Sequence, residues 1–167
     1  PRLLKARHPR WTTRRRPRPR AEAREAMPAE DLRLVFADDA IVVIDKPAGL
    51  LAVPGRGADK HDCAAVRVQQ CFADALIVHR LDQATSGLLA FGRGAAAQRA
   101  LSQAFAQRRV RKRYEAVVAG LLADDEGTID LPLAADWPNR PRQKIDCERG
   151  RAALTRWRVL ARNPQAH

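Results

Sequence analysis

Residues 79–87 read His-Arg-Leu-Asp-Gln-Ala-Thr-Ser-Gly and are followed at once by the apolar run Leu-Leu-Ala-Phe at 88–91. The segment places the base Arg80 two positions ahead of the acid Asp82, and it ends in small residues and a glycine that favour a turn. Ionisable side chains that lead directly into a buried strand can be held rigidly at the edge of a sheet. Asp82, kept ionised by Arg80, is therefore a candidate nucleophile or base, although an aspartate here is more commonly a turn or capping residue.

The hydrophobic pattern on either side of this segment is mostly that of strands. Apolar alternation and β-branched runs predict strands at residues 32–36, 40–44, 76–78, 87–92, 113–119 and 152–160. Helical spacing predicts two helices, one that runs to residue 72 with Asp62 as its N-cap and one over 95–107. Three prolines make 131–142 an irregular loop. Because strands outnumber helices and do not alternate strictly with them, the predicted fold class is α+β, with a mixed, mainly antiparallel sheet and flanking helices.

The positive charge of the chain is concentrated at its N-terminus. Of a net charge of +12, residues 1–26 contribute +8, from ten Arg or Lys and two Glu. Such a charge run cannot pack against a core, so a disordered basic tail is predicted. The tail is either an arm that binds RNA or sequence that is not native to the protein. The second alternative arises because the only methionine, Met27, stands just ahead of the first predicted strand. The remaining residues, 27–167, fit one folded domain.

The composition argues against several other classes of protein. The three cysteines, Cys63, Cys71 and Cys147, form no Cys-x-x-Cys pair and lack zinc-finger spacing with the histidines, so no metal site is expected. They are expected to be reduced thiols in a cytoplasmic protein. The longest apolar runs, of about six residues, are too short to span a membrane, and no apolar signal segment is visible at the N-terminus. We therefore expect no membrane attachment.

Two motifs imitate known catalytic or cofactor sites. Ser86, His79 and Asp82 are the residue types of a hydrolase triad, but triad members normally come from separate segments and the Gly-x-Ser-x-Gly elbow is absent. Residues 92–97, Gly-Arg-Gly-Ala-Ala-Ala, imitate a dinucleotide-binding loop with Glu115 as its acidic residue. Glu115 falls within a predicted strand, however, and no second βαβ unit follows. The triad is therefore rejected, and the glycine motif predicts a tight turn from strand to helix.

A basic run stands between two predicted elements. Residues 108–113, Arg-Arg-Val-Arg-Lys-Arg, hold five cations directly ahead of Tyr114. The run is either a solvated basic turn or a phosphate clamp whose tyrosine ring can stack on a base, and its place between ordered elements favours the clamp. Three more cations stand close to Trp137 in the sequence: Arg140, Arg142 and Lys144. They either form a second group of cations beside an aromatic ring or are simply a loop surface.

These motifs together resemble the RluA-type pseudouridine synthases, over residues 32–160. The strongest is His-Arg-Leu-Asp-x-x-Thr-Ser-Gly at 79–87. Lys-Pro-Ala-Gly-Leu at 46–50 is similar to the family's upstream motif, and Lys-Arg-Tyr-Glu-Ala at 112–116 is similar to its later Lys-x-Tyr segment. Asp-Trp-Pro-Asn-Arg-Pro at 136–141 resembles the branch with dual specificity for ribosomal and transfer RNA.

The resemblance implies a fold and a reaction. The fold is the catalytic fold of pseudouridine synthases, and the reaction isomerises uridine to pseudouridine in ribosomal or transfer RNA. It implies RNA as the partner and no cofactor, because the reaction involves neither redox chemistry nor phosphoryl transfer. By the same resemblance Asp82 is the catalytic carboxylate, which either attacks the ribose carbon or removes a sugar proton. Tyr114 is expected to pack against the target uracil and to assist proton removal at C5.

Residues that contact the RNA are also implied by the resemblance, together with the basic segments. The predicted contacts are His79, Arg80, Thr85, Arg111, Lys112, Arg113 and Arg140. A uridine in folded RNA must first be flipped out, and Arg80 is expected to fill the space that it leaves or to contact RNA nearby. We expect a monomer.

One departure from the family pattern affects the expected activity. Family members continue into a Gly-Arg-Thr/Ser-His-Gln-Leu-Arg motif whose arginine pairs with the catalytic aspartate, and nothing like it follows Leu160. Residues 27–167 are therefore expected to be the N-terminal portion of the catalytic domain, truncated at the C-terminus. A second interpretation is an inactive remnant that only binds RNA. A nicotinamide-dependent enzyme, suggested only by Gly92 and Gly94, is a distant third.

Overall fold

The computed structural model describes residues 32–55, 57, 61–139 and 142–162. The chain divides into two compact units, Pro1–Lys112 and Arg113–His167, which are described separately. The predicted basic tail at 1–26 and Arg140 lie outside the described residues. That residues 27–167 form a single catalytic domain stays a prediction.

The first unit is built on a four-stranded antiparallel sheet with the strand order β1-β2-β4-β3. Its strands are β1 (Arg33–Ala37), β2 (Ile41–Lys46), β3 (Ala75–Ile77) and β4 (Gly87–Arg93). The turn from β1 to β2 is closed by Asp38, whose Oδ1 accepts the backbone N–H groups of Ala40 and Ile41, each at 2.8 Å. All four strands lie where the sequence pattern predicted them, within a residue or two.

One face of this sheet carries the core. Val42 and Ile44 on β2 alternate with half-buried neighbours, and Leu89 and Phe91 are the large buried side chains of β4. The buried side of helix α1 (Ala64–Cys71) packs in the same cluster. Burial of each large side chain contributes about 1.5–3 kcal/mol. The two central strands are therefore anchored firmly, and the loops at their ends are held in place by them.

Helix α1 does not begin as predicted. Its N-cap residue is Cys63, which makes no side-chain capping hydrogen bond. Asp62 instead accepts Nε and Nη2 of Arg67 at 2.7 and 2.6 Å, a charge-assisted pair that competes successfully for the carboxylate. No side-chain cap is needed here, because the first amides of the helix donate to the carbonyl oxygens of Leu51 and Ala52.

Helix α2 (Gly94–Ala106) lies very close to β4. A Cβ atom on Gly92 would come within 2.5 Å of the backbone nitrogen of Gln98 and 2.6 Å of its Cα atom. Gly94 has a φ of 71°, which a glycine adopts without strain. The Gly-Arg-Gly motif is thus a tight turn from strand to helix, as predicted.

Replacement of Gly92 by alanine should destabilise the first unit. The new methyl group must push helix α2 away from β4, and overpacking of this kind costs about 1–3 kcal/mol. Denaturant unfolding followed by far-UV circular dichroism measures the change, and Ala100→Gly on the exposed side of the same helix is a control for propensity alone. An unchanged unfolding midpoint for Gly92→Ala would show that the helix does not pack this closely.

The second unit consists of two short antiparallel pairs among its described residues. Strand β5 (Glu126–Asp130) pairs with β8 (Leu154–Arg158), and β6 (Leu133–Ala135) pairs with β7 (Gln143–Ile145). Strand β8 was predicted, whereas β5 and β7 were not, and β6 contradicts the irregular loop predicted at 131–142. The prolines misled that prediction because Pro132 immediately precedes β6, where a missing N–H removes no pairing hydrogen bond.

The strand predicted at 113–119 is also absent. Residues 111–118 have no regular structure and are exposed, and Val117 is fully accessible. Alternation of apolar and polar residues favours a strand only where another strand can satisfy the backbone. This segment has no such pairing partner among the described residues. The α+β class with mainly antiparallel sheets is nevertheless confirmed, and the described helices include none that is long and apolar enough to cross a membrane.

Candidate active site

Asp82 lies on the loop that joins β3 to β4, residues 78–86, here called the Asp82 loop. The preceding residue, Leu81, is buried in the core cluster, whereas Asp82 is exposed. A turn follows, in which the N–H of Thr85 donates to the carbonyl oxygen of Asp82 at 3.0 Å. The loop therefore presents a solvent-accessible carboxylate from a backbone that is fixed on both sides.

The last residue of β2 and the loop after it, residues 46–50, support the Asp82 loop. The Lys46 side chain is fully buried, and its Nζ donates to the carbonyl oxygens of Pro47, Leu50 and Gln83 at 2.9, 2.7 and 3.2 Å. Gly49 and Gln83 exchange two more hydrogen bonds, at 2.8 and 3.0 Å. The backbone next to Asp82 is thus tied to the end of β2 by three hydrogen bonds, from Lys46, from Gly49 and from the Gln83 side chain.

Lys46 also takes part in the electrostatics of the site. Burial lowers the pKa of its ammonium group below the ordinary value, and attraction to the Asp82 carboxylate acts in the opposite direction. Lys46 is not among the site residues predicted from the sequence. The available signal was its alternation with Val42 and Ile44, which places a lysine on the buried face of β2.

His79 fastens the other end of the Asp82 loop. Its ring stacks on Phe105 of α2, with ring centroids 4.4 Å apart, and its Nε2 accepts the backbone N–H of Ala90 on β4 at 3.1 Å. Burial is the largest cause that lowers the pKa of His79, and the positive charge of Lys112 lowers it further, while a hydrogen bond with the Arg80 backbone acts against them. The ring is therefore favoured in its neutral form.

The other predicted site residues fall into two groups. In the first unit Arg80, Arg111 and Lys112 are exposed, Thr85 is half-buried, and Lys112 is near enough to His79 to act on it electrostatically. In the second unit Arg113 donates to Glu115 at 3.2 Å, and the ring of Tyr114 is largely exposed. The first unit thus brings His79, Arg80, Asp82 and Thr85 together on one loop. Among the described residues, no group of three or more possible metal ligands occurs.

The first unit thus presents an exposed carboxylate, with the exposed cation of Arg80 two positions away, from a loop that is held at both ends. Residues 40–167 match the sequence model of a family described as RNA pseudouridylate synthase. The chain belongs to the RNA pseudouridylate synthase family.

Individual relatives agree with this family. The chain is 48% identical over 130 residues to the dual-specificity RNA pseudouridine synthase RluA of Yersinia pestis, which covers 78% of this chain and 63% of that protein. It is 48% identical over 133 residues to the protein of the same name from Pasteurella multocida, covering 80% of this chain and 61% of that protein. The chain thus spans less than two thirds of the length of these relatives.

Two solved structures share the fold. Human RNA pseudouridylate synthase domain containing 4 superposes with a TM-score of 0.60 at 20% identity, over 78% of this chain and 54% of that chain. Human RNA pseudouridylate synthase domain containing 1 gives 0.59 at 22% identity, over 76% and 51%. The predicted catalytic fold is confirmed.

Proposed function

We propose that this chain carries the catalytic aspartate of an RNA pseudouridine synthase that acts on uridine in ribosomal or transfer RNA. The observation that carries the proposal is Asp82, which stands in the family's longest motif and is exposed on a loop braced from both sides. The relatives from Yersinia pestis and Pasteurella multocida are named for dual specificity, and residues 136–141 support the same choice of substrates.

The reaction exchanges one bond for another at the ribose. The bond from C1′ to N1 of uracil breaks, the base turns, a bond forms from C1′ to C5, and the C5 proton is lost while N1 gains one. Asp82 acts as nucleophile at the ribose carbon or as the base that removes a sugar proton. Tyr114 packs against the uracil and assists removal of the C5 proton. No electron or phosphoryl group is transferred, so the proposed reaction requires no cofactor.

The RNA contacts in this proposal come from the basic side chains. Arg80 and Thr85 stand beside Asp82, and Arg80 takes the place of the flipped nucleotide or contacts RNA beside it. The other phosphate contacts are Arg111, Lys112, Arg113 and Arg140. An RNA contact from His79 stays a prediction, as do a monomeric state and a cytoplasmic location.

Release of the C5 hydrogen provides the test of this function. Ribosomal and transfer RNA labelled with tritium at C5 of uridine should release tritium to water as pseudouridine forms. Two proteins are assayed: the 167-residue chain, and a chimera in which the 130 matched residues replace their counterparts in the Yersinia pestis relative. Release by the chimera supports the proposal. RNA binding without release by either protein would overturn it in favour of a remnant that only binds RNA.

The basic run should make RNA binding depend steeply on salt. Each phosphate contact that is lost reduces the slope of log K against log salt concentration by about 0.7–1, so Arg111→Ala and Lys112→Ala should each lower it by about that amount. Arg162→Ala is the matched control, because its guanidinium is already paired with Asp125 at 2.7 Å. The slopes are measured by RNA titration at several salt concentrations. If all variants gave the same slope, Arg111 and Lys112 would be excluded as phosphate contacts.

A further inference from the structure

We propose that His79 is a positioning residue for Asp82, and that it acts through a neutral imidazole that extends the β3–β4 ladder where β3 ends. This inference rests on the proposed function, because it gives the position of Asp82 a catalytic consequence. The contacts of the His79 ring with Ala90 and Phe105 lie within the first unit.

His79 lies just beyond the end of the pairing between β3 and β4. Strand β3 ends at Ile77, which is paired with Phe91 on β4. The residue of β4 just before Phe91 is Ala90, and its N–H donates to Nε2 of His79 at 3.1 Å instead of to a strand carbonyl. A backbone N–H in such a half-buried position needs an acceptor. The imidazole supplies it, and the main chain is freed to leave the sheet and form the Asp82 loop.

The face of the His79 ring packs against helix α2. The imidazole lies against Phe105 with an interplanar angle of 21° and a centroid distance of 4.4 Å, so its orientation is fixed by helix α2. The same helix holds the end of β3, since Nε2 of Gln98 donates to the carbonyl oxygen of Ile77 at 3.3 Å. His79 therefore connects β4, α2 and the start of the Asp82 loop, three residues ahead of the carboxylate.

The hydrogen bond from Ala90 also determines the protonation state of the His79 ring. An imidazole nitrogen can accept a hydrogen bond only while it carries no proton, so the Ala90 contact requires the neutral ring with its proton on Nδ1. Among the described residues, the charged side chain that acts on the ring is Lys112, which disfavours protonation. Strand β4 and helix α2 meet the ring with Ala90 and Phe105, which carry no charge, and Arg80 meets it with its backbone.

The direction of the pH effect follows from the lowered pKa. The folded ring binds its proton less readily than an unfolded histidine, whose ordinary pKa is 6.5. Its contribution to stability is therefore complete above that value and is lost as pH falls through the folded pKa. Protonation converts Nε2 from acceptor to donor, which breaks the contact with Ala90 and loosens the Asp82 loop. Turnover should then fall as pH decreases through the folded pKa of His79.

The kinetic experiment separates positioning from general stability. His79→Gln places an amide oxygen at the same reach as Nε2 but does not titrate, so it should keep most of the turnover at neutral pH and extend the plateau of kcat to lower pH. His79→Leu removes the acceptor, and its kcat should fall about 100-fold with little change in KM, the effect expected when a catalytic group moves by about 1 Å. His61→Gln, an exposed histidine, is the matched control and should keep the wild-type acid limb. An acid limb in His79→Gln that is identical to that of the wild type would overturn the inference.

A spectroscopic readout keeps this inference separate from the proposed function. In the folded 167-residue chain, ¹⁵N shifts of the His79 ring should show a proton on Nδ1 and none on Nε2, and exchange of the Ala90 and Thr85 amides should accelerate as the ring protonates. A proton on Nε2 at neutral pH would contradict the inference even if the enzyme is active. An absence of tritium release together with the expected ring shifts would overturn the proposed function and leave the structural role of His79 intact.

Discussion

Asp82→Asn should abolish pseudouridine formation, with kcat reduced by about 10⁴-fold or more, as for other enzymes that lose their nucleophile or base. Asparagine has the same shape as aspartate but can neither attack a ribose carbon nor accept a proton. RNA affinity should change little, because the cations that hold phosphate remain. Tritium release from C5-labelled RNA measures turnover, and titration with the same RNA measures binding.

The matched control for this substitution is Asp130→Asn. Asp130 is an exposed carboxylate on β5, in the second unit, and its loss should leave turnover within a factor of about two, as is usual for a surface site. Circular dichroism shows whether either variant has lost its fold. Turnover of Asp82→Asn within tenfold of the unsubstituted protein would mean that another group performs the chemistry.

The second large effect is expected on stability. Lys46→Met should lower the free energy of unfolding of the first unit by about 3–4 kcal/mol, because the methionine fills the space of the lysine stem but donates no hydrogen bonds. The carbonyl oxygens of Pro47, Leu50 and Gln83 lose a charged donor at once. The two loops that frame Asp82 then have fewer contacts with each other, so turnover should fall as well.

Urea unfolding followed at the helical circular dichroism band measures this loss, since both described helices lie in the first unit. Lys144→Met on β7 is the control, because this lysine is largely exposed and its ion pair with Asp146 is long at 3.9 Å. Its effect should stay within about 0.5 kcal/mol. A loss below about 1 kcal/mol for Lys46→Met would indicate that water readily replaces the ammonium group at the three carbonyl oxygens.

The parts of the fold that could be predicted are those in which local pattern and tertiary packing agree. Strands β2 and β4 were recognised because their apolar residues are continuous or alternating and are buried on one face. Helix α2 was recognised from the helical spacing of its apolar residues. The glycine motif ahead of it was recognised as a tight turn because no second βαβ unit follows. The short strands β5, β6 and β7 were missed because a pair of three to five residues carries too little periodicity to stand out.

Two errors had a common cause. The strand predicted at 113–119 has an alternating pattern but no pairing partner among the described residues, and Asp62 has the composition of an N-cap but binds Arg67 instead. In both cases a local preference of about 1 kcal/mol was decided by distant backbone groups: a pairing strand that 113–119 lacks, and the carbonyl oxygens of Leu51 and Ala52, which accept the first amides of α1 and leave Asp62 to Arg67. Distant backbone partners of this kind are not visible in a short window of sequence.

The amino-acid sequence by itself determined the family, the α+β class and the identity of the acid at position 82, because a nine-residue motif and the periodicity of its flanking strand are local properties. Only the tertiary structure decided how that acid is held. Lys46 and Gln83 are 37 positions apart, and His79 meets Ala90 and Phe105 from two other elements. These contacts form because the sheet order β1-β2-β4-β3 brings the end of β2 next to the start of β4, which no single stretch of sequence specifies.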